Sequence, residues 1–77
     1  MKLEIISPEK ILFSGEIELV TLPGSLGSFT ILPGHAAIIS SLEKGKLTYR
    51  TEGKNTEMDI NGGFAEGKQD QITVCIE

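Results

Sequence analysis

Apolar and polar residues alternate with a period of two along most of this chain. The runs are Lys2-Leu3-Glu4-Ile5, Glu16-Ile17-Glu18-Leu19, Ser28-Phe29-Thr30-Ile31, Lys46-Leu47-Thr48-Tyr49, Glu57-Met58-Asp59-Ile60 and Gln71-Ile72-Thr73-Val74-Cys75-Ile76. Side chains leave a strand on alternate faces, so each run predicts a half-buried strand with an apolar inner face. Turn-forming residues separate the runs: Ser7-Pro8-Glu9-Lys10, Ser14-Gly15, Pro23-Gly24-Ser25-Leu26-Gly27, Pro33-Gly34, Glu43-Lys44-Gly45, Glu52-Gly53-Lys54-Asn55 and Lys68-Gln69-Asp70. Short strands with such frequent turns predict an all-β antiparallel sandwich or flattened barrel without substantial helix.

Two stretches break the alternation. Leu19, Val20 and Leu22 are all apolar around Thr21, which predicts either a β-bulge or a strand covered on both faces. Ala36-Ala37-Ile38-Ile39-Ser40-Ser41-Leu42 is too short for a stable helix and carries adjacent isoleucines. A strand with the core on one side and a partner on the other accounts for that pair.

With 77 residues the chain forms one domain, residues 1–77, with no linker or repeat to divide it. Hydrophobic residues at 39% and charged ones at 23% are ordinary for a folded protein. A core this small supplies only about 3–5 kcal/mol, so a partner surface is a natural source of further burial. The net charge of −4 disfavours phosphate backbones and anionic lipid, and the few aromatics offer no stacking platform for single strands. No stretch approaches the roughly 20 apolar residues of a membrane span, and the opening Met1-Lys2-Leu3-Glu4 is expected to be strand and not signal peptide. The single cysteine cannot form an internal disulfide, which suits a reducing compartment.

Candidate chemistry is sparse. His35 is the sole histidine and has no nucleophile, orienting acid or further metal ligand near it in sequence, so it predicts a turn or interface hydrogen bond. Gly24-Ser25-Leu26-Gly27 lacks the Gly-Lys-Ser/Thr ending and the helix of a phosphate cradle, and reads as a turn. Cys75 lies opposite the Ile72-Val74-Ile76 face with no adjacent cation to lower its pKa. The pairs Glu16/Glu18 and Glu57/Asp59 each project from one strand face and read as its solvated side. Catalytic, metal and cofactor sites are therefore all expected to be absent, as is a small-molecule substrate.

A longer stretch is more specific. Pro23-Gly24-Ser25-Leu26-Gly27-Ser28-Phe29-Thr30-Ile31-Leu32-Pro33-Gly34-His35-Ala36 resembles the signature of the ε subunits of rotary F-type ATP synthases. Ile5-Ile6-Ser7-Pro8-Glu9, Leu12-Phe13-Ser14-Gly15-Glu16, Lys44-Gly45-Lys46-Leu47, Asn61-Gly62-Gly63-Phe64-Ala65-Glu66 and Ile72-Thr73-Val74 extend the likeness over essentially the whole chain. The resemblance implies a sandwich of about ten strands. It implies a non-catalytic place in the central stalk, gripping the γ subunit and the c-ring so that proton-driven rotation reaches γ as torque. It also implies a peripheral position on the cytoplasmic face of the bacterial inner membrane. Carried over by position, Ser7, His35, Ile38, Ile39 and Ser40 would face γ, and Gly24, Ser25, Leu26, Gly27 and Ser28 the c-ring. Ala37 stands where many relatives have proline, and Ser28 where some have an acid. Relatives usually continue into a C-terminal helical hairpin that restrains ATP hydrolysis and in some binds ATP. These residues, from either a short subunit or part of a longer one, are expected to carry neither that brake nor a nucleotide site. Three other readings are weighed at this level: an adaptor sandwich of another complex, a biotinyl or lipoyl carrier, and a small hydrolase or isomerase, whose catalytic set the sequence lacks. The carrier reading would use Lys54, but that lysine lacks the flanking residues such a domain needs.

Overall fold

In the computed structural model, which describes all residues from Met1 to Glu77, the period of two becomes nine strands and no helix. They are β1 (Lys2–Ile6), β2 (Ile11–Glu16), β3 (Leu19–Gly24), β4 (Gly27–Ile31), β5 (Ile38–Leu42), β6 (Gly45–Thr51), β7 (Lys54–Ile60), β8 (Gly63–Lys68) and β9 (Gln71–Ile76). The all-β expectation holds, with nine strands where the resemblance implied about ten.

The strands form one curled sheet in the order β2-β1-β9-β8-β5-β3-β6-β7, with β4 paired to β3. The fold is thin at one point, where β5 meets β3 through the single pair Gly24–Leu42. The curl at that joint produces two layers, β2-β1-β9-β8-β5 and β4-β3-β6-β7, facing each other across the core. Leu3, Ile5, Val20, Leu22, Leu47, Ala65, Ile72 and Val74 are fully buried between them. Each buried valine, leucine or isoleucine contributes about 1.5–3 kcal/mol, and together they hold the layers shut. Leu3 pairs with Ile72 and Ile5 with Val74 across a parallel β1–β9 ladder, so the two ends of the chain share the centre of one layer.

Several local readings are corrected. Glu16 to Leu19 is not one strand: β2 stops at Glu16 and β3 starts at Leu19. Between them the chain crosses from one layer to the other. Ile17 N–H donates to Met1 C=O (2.8 Å), and Glu18 N–H donates to Arg50 C=O (2.8 Å). Glu16 and Glu18 therefore do not share a face. Glu16 accepts a hydrogen bond from the terminal ammonium of Met1 (3.2 Å), and Glu18 Oε1 accepts from Gly53 N–H (2.6 Å). Ser14-Gly15 does not break β2, because Gly15 pairs with Leu3 and the ring of Phe13 lies over its bare Cα. The slip at Leu19–Val20 is a strand covered on both faces, since every residue of β3 is buried or half-buried. The irregularity in register lies elsewhere, between Ile5 and Ile6.

Candidate functional site

The β3–β4 hairpin and β5 lie side by side where the layers part. The hairpin turns in only two residues, Ser25 and Leu26, with both strands continuing through the flanking glycines. Gly24 is buried, and a Cβ there would come within 2.6 Å of the Phe29 ring, so the residue belongs to the frame of the hairpin. Ser25 is tied to β5 twice, through its N–H to Ser41 C=O (3.0 Å) and its hydroxyl to the Ser41 hydroxyl (2.7 Å). That leaves Leu26, Gly27 and Ser28 as the free tip, with Leu26 fully exposed.

On β5 the two isoleucines part company. Ile38 is half-buried and packs on the core, while Ile39 points outward and is 78% exposed. Ser40 shares the inward side with Ile38, opposite the buried Ala65. An open depression of about 520 Å³ separates the hairpin tip from β5. Residues Gly24 to Phe29 form one wall and Ile38 to Ser41 the other, and none of them is charged. All five residues expected to face a c-ring thus come together with three of the five expected to face γ.

The remaining two lie apart from this groove. His35 sits beside Ile38 in an adjoining depression of about 260 Å³. Its Nδ1 is 2.8 Å from Ala36 C=O, while Nε2 is shut away from solvent with no hydrogen-bond partner. A buried ring nitrogen without a partner is costly. Ser7 belongs to the β1–β2 turn. Its N–H and hydroxyl both donate to Lys10 C=O (2.9 and 3.2 Å), and its oxygen accepts from the N–H groups of Glu9 and Lys10 (3.3 and 3.2 Å). Strands β9 and β8 stand between β1 and β5. Ser7 and the groove are therefore separated by roughly three strand spacings of about 4.8 Å.

A link between them was missed at the level of sequence. Register places Phe64 opposite Ser41 on one side and Cys75 on the other, and Cys75 opposite Ile6. This row crosses the outer face from β5 to the strand that leads into Ser7. Phe64 is half-exposed, at 50%. The signal was legible: in Gly63-Phe64-Ala65-Glu66 the phenylalanine shares its strand face with a glutamate, so one large apolar side chain falls on the polar side. Elsewhere, no cluster of three His, Cys, Asp or Glu side chains could hold a metal, and there is no helix long and apolar enough to cross a membrane.

Comparison with known proteins gives the arrangement a context. A family model described as the ATP synthase delta/epsilon chain β-sandwich domain matches residues 1–77. The ATP synthase epsilon chain of Geobacter sulfurreducens is 38% identical over 77 residues, all of this chain and 56% of that protein. The epsilon chain of Leptospira interrogans is 42% identical over 77 residues, 61% of its length. The chain thus spans just over half the length of the relatives it matches. Among solved structures, one chain of the Euglena gracilis mitochondrial ATP synthase superposes with a TM-score of 0.90 at 23% identity, over 96% of this chain and 48% of that one. A chain in the central stalk and c-ring structure of the Tetrahymena thermophila enzyme gives 0.80 at 17% identity, over 97% and 61%. At these identities the structural likeness speaks for the fold.

Proposed function

The chain belongs to the ATP synthase delta/epsilon β-sandwich family, and from that premise we propose that it works as a non-catalytic subunit of the central stalk of an F-type ATP synthase. In this reading it binds the γ subunit and the c-ring and passes proton-driven rotation between them. It carries no cofactor and takes no small-molecule substrate. Its place is peripheral, on the cytoplasmic face of a bacterial inner membrane, without insertion into lipid.

The observation that carries the reading is the pair of bare apolar anchors, Ile39 and Leu26, on the two walls of one uncharged groove. Leaving large aliphatic side chains in water forgoes about 1.5–3 kcal/mol each, which a partner surface recovers. Leu26, Gly27 and Ser28 form a narrow polar-and-apolar tip suited to the loops of a ring below, with Gly24 and Ser25 fixing its angle. His35, Ile38, Ile39 and Ser40 form the γ-facing edge, and the Phe64–Cys75–Ile6 row extends it toward Ser7. A close-packed sandwich suits this work because it transmits strain instead of absorbing it.

Co-expression with the γ subunit of the same genome tests the proposal. A stable one-to-one complex is the expected result, lost on Ile39→Asp. Ile38→Asp is the poorer probe, because that residue also packs on the core. Failure of γ to co-purify with the unaltered chain would remove the stalk assignment. Biotinyl or lipoyl addition on Lys54, detected by mass, would favour a carrier instead.

A further inference from the structure

The main chain of β5 offers more than its side chains do. Two hydrogen bonds bracket the Gly24–Leu42 pair: Ser25 N–H donates to Ser41 C=O (3.0 Å), and Glu43 N–H donates to Pro23 C=O (2.8 Å). Ser41 and Glu43 therefore aim their peptide groups at β3, away from β8. Peptide groups alternate along a strand as side chains do, so Ile39, two residues before Ser41, aims its N–H and C=O the same way. No strand is there to meet them. The chain of β3 reverses at Ser25–Leu26, and β5 pairs with β3 through Leu42 alone. Neither group of Ile39 takes part in the backbone bonds made outside the ladders. Ile39 thus opens one donor and one acceptor onto the groove, at the point where its side chain is also exposed.

From this geometry we infer that the groove is a strand-addition site: an extended segment of the stalk partner γ lies end to end with β3 and hydrogen-bonds to the main chain of Ile39. A guest of about three to five residues fills the position β3 gives up. Its side chains are small or apolar and uncharged, because Leu26, Phe29 and Ile39 line the path and no charge in the walls would compensate a buried one. Ser25 and Ser41, bonded to each other, close the end of the site next to β3 and set where the guest begins. The inference rests on the stalk reading above and adds to it the mode of contact.

Amide hydrogen exchange on the 77-residue chain, alone and with the γ subunit, tests it. In the free chain the Ile39 amide exchanges quickly and the Ser40 amide, which faces β8, slowly. In the complex the Ile39 amide slows by roughly a hundredfold, since opening then requires release of the guest. Ile39→Pro removes the donor at an edge position where proline is tolerated, and weakens γ by about tenfold; Ile39→Val keeps the donor and binds normally. A complex that forms while the Ile39 amide exchanges at its free rate would overturn strand addition and leave the stalk assignment standing. Absence of any complex would overturn both. Protection that rises with the concentration of the chain alone would make a second copy the guest and overturn the assignment to γ.

Discussion

Strands β5 and β7 both expose an edge, and they are dressed in opposite ways. β7 ends the sheet, and its outer face carries Asn55, Glu57 and Asp59, with Arg50 Nε bonded to Asn55 (3.0 Å) and Lys46 Nζ to Asp59 (3.3 Å). Charges along an edge make pairing with another chain costly, because each would have to be desolvated. The open edge of β5 has no such guard. It presents Ile39 between Ile38 and Ser40, facing an exposed leucine across an uncharged groove. Within one small domain the blunted edge resists association and the bare edge invites it.

Substitutions can break or sharpen that contrast. The largest effect is expected from Gly63→Ala, which removes the support of β5 itself. Gly63 has φ +145° and pairs with Leu42, and a Cβ there would collide with the backbone carbonyl of Cys75. A loss of about 3 kcal/mol or more is expected in urea unfolding, from strain and a displaced ladder. Next comes Ile39→Asp, which should weaken γ by roughly a hundredfold, about 2.7 kcal/mol, while Tm stays within a degree or two of the unaltered chain. Titration calorimetry and thermal melts separate the two. The matched change on the other edge, Glu57→Gln, is expected to alter neither. Smaller still is Lys46→Ala, which removes an exposed ion pair and should cost no more than about 0.5 kcal/mol, less at high salt.

The slightest effect concerns pH. The hydrogen bond from Glu16, aided by Asp70, raises the Met1 ammonium above its ordinary value of 8.0, against a smaller opposing contribution from desolvation. A raised pKa in the folded state means the contact stabilises below pH 8.0 and is lost as pH climbs through the folded value. A small fall in Tm is therefore expected on going from neutral to alkaline pH, and Glu16→Gln should flatten it.

Much of this fold was legible because strand burial is a local property. Leu3 and Ile5, Leu47 and Tyr49, and Ile72 and Val74 all lie inside as alternation requires. What escaped was set by distant residues. The parallel pairing of β1 with β9 joins positions some 70 residues apart, and no local signal names a strand's neighbour. The corner at Ile17–Glu18 alternates like a strand, and its N–H groups go to the carbonyls of Met1 and Arg50, residues distant in sequence. At the candidate site, the adjacent isoleucines revealed that one of them must face outward, and the groove then depended on facts the pattern cannot hold. The tightness of the Ser25–Leu26 turn and the single Gly24–Leu42 contact leave the main chain of Ile39 uncovered.

The claim that the bare edge is the partner surface is tested most directly by one paired binding measurement. The γ subunit is titrated against Ile39→Asp and against Glu57→Gln, each confirmed folded by its melt. Affinity lost on the β5 edge and kept on the β7 edge is the expected result. Equal affinity for the two variants would contradict it.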